Sequence, residues 1–210
     1  MSDTICICNL GLGNISSVVN ILKKLGIKSF VTKNPEDIQN FCYLIIPGVG
    51  AFDYAMGKIN KSSWKEKIFG HVEKGGYLLG ICLGMQILCT SSEEGDLLGL
   101  GLIPGEFKKF DFSSNKIKVP HMGWNTVSFT DKMPSTFKNA FEIESNRYYF
   151  VHSYRYHYKN MDYVYGSTDY GIEFASIIGK DNIMGCQFHP EKSHFNGLNF
   201  LKQYFAYINK

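Results

Sequence analysis

At residues 77–89 an apolar run meets a helix with no room for a loop. Tyr77-Leu78-Leu79-Gly80-Ile81 reads as a strand, and Met85-Gln86-Ile87-Leu88-Cys89 reads as the first turns of a helix. Only Cys82, Leu83 and Gly84 stand between them. The chain must therefore turn sharply with Cys82 at the apex, which is the nucleophile-elbow pattern with Cys in place of Ser. Glycines flank the apex because its backbone is strained and strand and helix pass close together. The start of the helix lies under the sulfur. Its partial positive charge favours thiolate, and its free N–H groups, Leu83 first, can hold an oxyanion. A buried structural cysteine in a glycine-rich turn would share this heptapeptide, so the rest of the chain has to decide.

The preceding residues repeat one unit. Thr4-Ile5-Cys6-Ile7-Cys8 is a continuous apolar run suited to a strand buried on both faces. After the loop Asn9-Leu10-Gly11-Leu12-Gly13-Asn14, Ile15, Val18, Val19, Ile21, Leu22 and Leu25 recur at helical spacing, and Gly26 ends the helix. Residues 27–32 form a second strand, Pro35-Glu36-Asp37-Ile38 opens a short helix, and Tyr43-Leu44-Ile45-Ile46 is a third strand ending in Pro47-Gly48-Val49-Gly50. A further helix covers about 64–74. This alternation predicts a parallel sheet flanked by helices. Ligands of such sheets bind beyond the carboxyl ends of the strands, where both Cys82 and Pro47-Gly48-Val49-Gly50 fall.

Beyond about Glu93 the pattern changes to short aromatic-rich segments, 116–119, 124–129, 148–154, 163–167 and 174–178, separated by turn signals. These read as antiparallel strands added to the parallel sheet. A last strand, 183–188, runs into His189-Pro190-Glu191, and the closing helix carries Phe195, Leu198, Leu201, Phe205 and Ile208 on one face. The expected fold is α/β: a mixed, mainly parallel central sheet, flanked by helices, with added antiparallel strands. No repeat or linker divides residues 1–210, so a single domain is expected.

Composition excludes several functions. With 22 basic and 19 acidic residues the net charge is +3, too balanced for nucleic acid or an anionic membrane surface. The Tyr-rich stretch 147–165 interleaves Arg147, Arg155 and Lys159, but tyrosines also suit half-buried strands. No signal peptide or membrane span is apparent, and six cysteines are then expected as reduced thiols in the cytoplasm. Cys6 and Cys8 share one strand face and lack a second ligand pair, so they read as core and not as a metal site. His71 and His157 read as surface residues. His189 differs, because it follows an apolar strand and stands two residues from Glu191. A Cys nucleophile needs a base that takes its proton and returns it to a leaving amine, and the base needs an anionic partner. Cys82, His189 and Glu191 supply these three parts.

Gly80-Ile81-Cys82-Leu83-Gly84-Met85-Gln86 with His189-Pro190-Glu191 resembles the triad (class I) glutamine amidotransferases. Pro47-Gly48-Val49-Gly50-Ala51-Phe52, Pro120-His121-Met122-Gly123-Trp124-Asn125, Tyr149-Phe150-Val151-His152-Ser153-Tyr154 and Gln187-Phe188-His189-Pro190-Glu191-Lys192-Ser193 resemble, within them, the glutaminase subunits of imidazole glycerol phosphate synthase. The resemblance covers essentially the whole chain. It implies that Cys82 attacks the side-chain amide of L-glutamine, that His189 shuttles the proton, and that a glutamyl thioester is hydrolysed. It puts the oxyanion hole at Leu83 and the Gly48-Val49 segment. Substrate binding falls to Gly50, Gln86, Glu94, His152, Ser153 and Tyr154. Asn14, Trp124 and Lys192 match positions that contact a separate (β/α)8-barrel cyclase, which uses the ammonia for histidine biosynthesis in a heterodimer. No metal or organic cofactor is implied.

The chain departs from that pattern in places. Asn9-Leu10-Gly11 stands where the family has Asp-Tyr-Gly, and Ser16 where arginine is common. Asp53 and His194 also look like paralogues that supply ammonia for acetamidino sugars of surface glycans. A related Cys-elbow peptidase would not need Gln86, Glu94 or the Pro120 to Asn125 segment, and a catalytically silent binding module should have lost one of Cys82, His189 or Glu191, none of which is lost.

Overall fold

The computed structural model describes residues 2–111, 118–138, 146–157 and 161–208. In the first half β1 (Ser2–Cys8), β2 (Ser29–Thr32), β3 (Phe41–Gly48) and β4 (Tyr77–Cys82) are linked by α1 (Ile15–Lys24), a 3₁₀ turn (Pro35–Asn40), α2 (Phe52–Asn60) and α3 (Trp64–Glu73), and α4 (Leu83–Leu88) follows. Then come β5 (Ser91–Ser92), β6 (Glu106–Lys109), β7 (His121–Thr126), β8 (Ser128–Phe129), α5 (Ser135–Lys138), β9 (Arg147–His152), β10 (Tyr154–His157), β11 (Val164–Asp169), β12 (Glu173–Lys180), β13 (Ile183–Cys186) and α6 (His194–Ile208).

The main sheet runs β2-β1-β3-β4-β13-β12-β10-β6-β5, with β11 and β8 attached beside β12. From β2 to β13 every neighbour is parallel. From β13 through β12 and β10 to β6 the pairing is antiparallel. A separate antiparallel pair, β7 and β9, lies off this sheet. The expected mixed sheet is present, and β4 lies inside it between β3 and β13.

Period-two alternation divides the core into two faces. Ile5 and Ile7 point to the side of α1 and α6, with Val18, Leu22, Phe200 and Leu201. Cys6 and Cys8 point to the side of α2, α3 and α4, with Phe52, Met56, Trp64 and Met85. Both cysteines are fully buried, as core residues should be. No helix among the described residues is long and apolar enough to cross a membrane.

Several expectations are corrected. The helix α2 is additional, although Phe52, Ala55, Met56 and Ile59, all buried, repeat at helical spacing. The segment 148–154 is not one strand: it breaks at Ser153, so β9 and β10 belong to different sheets. Likewise 124–129 breaks at Val127. Residues 116 and 117 of the proposed strand 116–119 lie outside the described residues, as does Lys159, and 118–119 are not in a strand.

His71 is buried, not on the surface. The Gly75-Gly76 turn folds the end of α3 back onto β4, and a Cβ at Gly76 would lie 2.2 Å from the His71 ring. Burial lowers its pKa, against a hydrogen bond from Nε2 to Tyr77 O at 3.2 Å. Phe195 is 75% exposed, while α6 buries Gly197, Phe200, Leu201, Tyr204 and Phe205. The buried face is rotated because Gly197 packs on the turn before α6, where a Cβ would lie 1.8 Å from Pro190 O.

Glycine makes the elbow possible. A Cβ at Gly84 would lie 1.8 Å from Ile46 O, one at Gly80 2.6 Å from the Gly84 backbone, and one at Gly48 2.9 Å from Leu83 Cβ. We expect Gly84→Ala to lower the urea midpoint by the equivalent of about 1–3 kcal/mol or more, since β3 backbone must move. Gly70→Ala, in α3 with nothing within 4 Å of the added Cβ, should instead be neutral or stabilising. Equal midpoints for the two variants would contradict the close approach of α4 to β3.

Candidate active site

Cys82 ends β4 at φ 54, ψ −108, a strained conformation for a side chain with a Cβ. Its register partner on β3 is Gly48. On the other side β13 pairs Cys186 with Ile81, so the chain leaving β13 arrives beside the elbow. That chain carries Gln187, Phe188 and His189.

His189 is buried, and its Nδ1 lies 2.7 Å from Glu191 Oε1. Both side chains are nearly sealed, at 2% and 6% exposure. A carboxylate oxygen only accepts, so the ring carries a proton on Nδ1 and turns Nε2 the other way. His189 Nε2 makes no hydrogen bond of ordinary geometry. Cys82 is nevertheless close enough to act on the ring electrostatically. Burial works against the imidazolium, but the charges of Cys82 and Glu191 outweigh it and push the pKa up to about 10. The ring thus keeps its proton at neutral pH, ready for a leaving amine. By contrast, burial pushes the Cys89 and Cys186 thiols well up, which keeps them protonated and inert.

A cavity of about 240 Å³ opens at Cys82. Its walls are Val49, Gly50, Leu83, Gln86, Glu94, Pro120, Val151, His152, Ser153 and Tyr154. All six residues expected to bind substrate therefore meet here, with Val49 and Leu83 of the expected oxyanion hole. Gly48 is not in the wall; it lies beneath Leu83. Glu94 Oε2 accepts from Phe52 N at 3.0 Å, capping α2. Burial raises the Glu94 pKa, with Asp53 adding to it and the Phe52 N–H opposing. A larger cavity of about 420 Å³ lies between Ile38 and α3, where none of the expected site residues stands. The chemistry favours the smaller one.

The remaining expected residues lie outside the cavity. Lys192 is exposed, with its ammonium 5.9 Å from the centre of the Tyr149 ring. Trp124 is 40% exposed, stacks on His194 at 5.5 Å and meets Tyr149 edge-on. Asn14 is exposed, and its Oδ1 caps α1 by accepting from Ser17 N at 3.2 Å.

Residues 6–206 match the family described as Glutamine amidotransferase class-I. The chain belongs to that family. The amidotransferase is 44% identical over 204 residues to imidazole glycerol phosphate synthase subunit HisH 2 of Methanococcus maripaludis, covering 95% of this chain and 99% of the relative. It is 43% identical over 210 residues to the HisH subunit of Sulfurimonas denitrificans, covering 98% and 99%. The Bacillus subtilis HisH subunit is 41% identical over 202 residues, covering 94% and 93%. Its fold resembles a crystal structure of a glutamine amidotransferase, with TM-score 0.72 at 16% identity over 97% of both chains. It also resembles PurLQS from Thermotoga maritima, with TM-score 0.71 at 20% identity over 99% of this chain and 100% of that one.

Two residues of this amidotransferase site are missing from the sequence reading. Gln187, fully buried, donates to Cys82 Sγ at 3.6 Å and accepts from Gln86 Nε2 at 3.3 Å. Ser193 donates to His189 O at 2.6 Å and accepts from Tyr149 N at 2.9 Å, tying the histidine turn to β9. Both stand inside the motif around His189, where a buried polar side chain next to a catalytic pair was the available signal.

Proposed function

We propose that the chain is the glutaminase subunit of an imidazole glycerol phosphate synthase, acting as one glutamine amidotransferase domain. It hydrolyses glutamine and delivers ammonia to a separate (β/α)8-barrel cyclase in the cytoplasm. The observation that carries the reading is the Cys82 elbow beside the buried His189–Glu191 pair, at a cavity walled by Gln86 and Glu94.

In this scheme the amino-acid end of glutamine lies toward Gln86 and Glu94, whose carboxylate suits an ammonium group. Cys82 Sγ attacks the amide carbon, and the carbonyl electrons move to oxygen. The N–H groups of Val49 and Leu83 receive that oxyanion. His189 gives its Nε2 proton to the amide nitrogen, the C–N bond breaks, and ammonia leaves. His189 then takes a proton from water, which attacks the thioester and releases glutamate with Cys82 restored. Glu191 holds the ring through Nδ1 in both halves, and Gln187 holds the sulfur.

The cyclase would dock over Asn14, Trp124 and Lys192. Met122 and Phe195, 61% and 75% exposed, add apolar area close by. A glutaminase for acetamidino-sugar synthesis would use the same chemistry, but the two residues shared with that alternative have local roles here. Asp53 accepts from Asp96 N and Leu97 N at 2.9 and 3.0 Å, and His194 stacks on Trp124. The full-length HisH relatives favour the histidine pathway.

The test is covalent labelling by a glutamine-mimicking diazo-ketone in the presence of the cyclase. We expect mass spectrometry to find the adduct on Cys82 and glutamine to suppress it. An unlabelled Cys82 in the intact complex would overturn the assignment.

A further inference from the structure

One buried polar assembly is not used by this chemistry. β7 and β9 pair His121 with His152, and both side chains are buried. His152 Nδ1 lies 2.7 Å from Tyr154 O, and His152 Nε2 lies 3.0 Å from His121 Nδ1. His121 Nε2 lies 3.3 Å from Asn125 Nδ2, which is also 2.9 Å from Asp169 O.

Both ends of this chain are carbonyls, which only accept. At one end, Asn125 Oδ1 accepts from Thr126 N at 2.8 Å, so Nδ2 must face Asp169 and His121 as the donor. His121 Nε2 then accepts, and its proton sits on Nδ1, aimed at His152. At the other end, Tyr154 O requires the His152 proton on Nδ1, which leaves His152 Nε2 free to accept from His121. The two ends dictate the same tautomers independently. Any other assignment sets N–H against N–H, or lone pair against lone pair, in a buried site.

The surroundings hold both rings neutral. His121 stacks on Tyr170 at 3.9 Å and on Phe150 at 4.8 Å; His152 packs against Phe110 at 5.3 Å and Phe174 at 5.2 Å. Burial there pushes His121 down to about 4 and His152 down to about 3. A protonated ring would turn an acceptor into a donor and break the chain.

The segment at the end of the chain needs this support. At Ser153 the backbone leaves one sheet for the other, and Ser153 O is held by Phe110 N at 3.0 Å. His152, Ser153 and Tyr154 also line the cavity, together with Gln86 and Glu94.

We propose that Asn125, His121 and His152 are positioning residues, a one-way donor relay that fixes the Ser153–Tyr154 backbone as a wall of the glutamine pocket. The proposal rests on reading that cavity as the glutamine site. The relay touches none of the reacting atoms, so its loss should weaken binding and spare chemistry.

The test is steady-state glutaminase kinetics in complex with the cyclase and its acceptor. His121→Phe keeps the ring stacking and removes both nitrogens. We expect KM for glutamine to rise about tenfold, the effect of one lost buried hydrogen bond, with kcat within about threefold. His121→Asn can place an N–H near the position of Nδ1 and should recover most of the loss. Asn125→Ala, at a half-buried site, should also raise KM. An unchanged KM in His121→Phe or Asn125→Ala, a fall in kcat alone, or no recovery in His121→Asn would overturn the relay. Nitrogen NMR of labelled histidines in the wild type gives a second readout. Both rings should be Nδ1–H tautomers, and an Nε2–H tautomer on either overturns the proposal. If the wild-type complex fails to hydrolyse glutamine, the reading of the site fails, and the tautomers still decide the relay.

Discussion

Cys82→Ala is expected to leave glutamine-dependent turnover undetectable while added ammonium still supports synthesis by the cyclase. In the proposed complex the nucleophile and the acceptor chemistry lie on different chains, so only the supply of ammonia is cut. In a hydrolytic triad, losing the nucleophile or the base costs roughly 10⁶ in kcat, and losing the orienting acid roughly 10⁴. His189→Ala should therefore approach Cys82→Ala in severity. Glu191→Gln should cost less, because an amide oxygen can still accept from Nδ1 across the 2.7 Å bond. It gives up the charge that helps hold the imidazolium, so it should not be silent. The measurement is kcat/KM with glutamine and, separately, with ammonium, on complexes shown to be intact. A Glu191→Gln loss greater than that of His189→Ala would show that the roles are misassigned. Loss of ammonium-dependent turnover in Cys82→Ala would mean that Cys82 also serves the partner's reaction.

The sequence carried the parallel half of the fold because each unit there is local. Ile15, Val18 and Leu22 show a helix by their own spacing, and Gly80 with Gly84 show an elbow by their own chemistry. The same logic reached the triad, since His189-Pro190-Glu191 is three adjacent residues at a strand end. It stopped where structure depends on distant partners. Nothing within 148–154 marks the break at Ser153, which arises because β9 pairs with β7 and β10 with β6 and β12. Phe195 looks like part of an apolar face until Gly197 packs against Pro190 O and turns the helix. His71 looks polar and exposed until Gly76 makes room for its ring. The contacts of Gln187 with Cys82 and Gln86, and the pairing of His121 with His152, depend on distant partners in the same way. A buried polar side chain is defined by its partners, and those lie on other strands. The helix α2 is a different case: its spacing was legible in Phe52, Ala55, Met56 and Ile59.

The isolated chain is expected to hydrolyse glutamine very slowly and to be accelerated by the cyclase with its acceptor, mainly in kcat. In the proposed mechanism Leu83 supplies one N–H, and the other would come from the strand end beside Cys82, where β3 stops at Gly48 in register with the nucleophile. Val49 lies in the cavity wall and is 36% exposed. Gly50 follows at φ 131, a conformation that side chains rarely adopt. On the other side Gly13 leaves room: a Cβ there would lie 3.2 Å from Val49 N and 3.4 Å from the Gly48 carbonyl carbon. With glycines on both sides of Val49 and Gly13 facing it, the Gly48–Val49 peptide can rotate between two orientations. One presents its N–H to the oxyanion and the other its C=O. One missing donor costs roughly 10²–10³ in rate, so that is the expected size of the activation. An idle glutaminase wastes glutamine, which favours the inactive orientation when no acceptor is bound. Acceptor binding across the interface would bias this two-state element without altering Cys82 or His189. Steady-state glutaminase activity should be measured on the purified chain alone, with the cyclase, and with cyclase plus acceptor. Full activity from the chain alone would refute the switch, and activation that appeared only in KM would place it in the binding wall instead of the oxyanion strand.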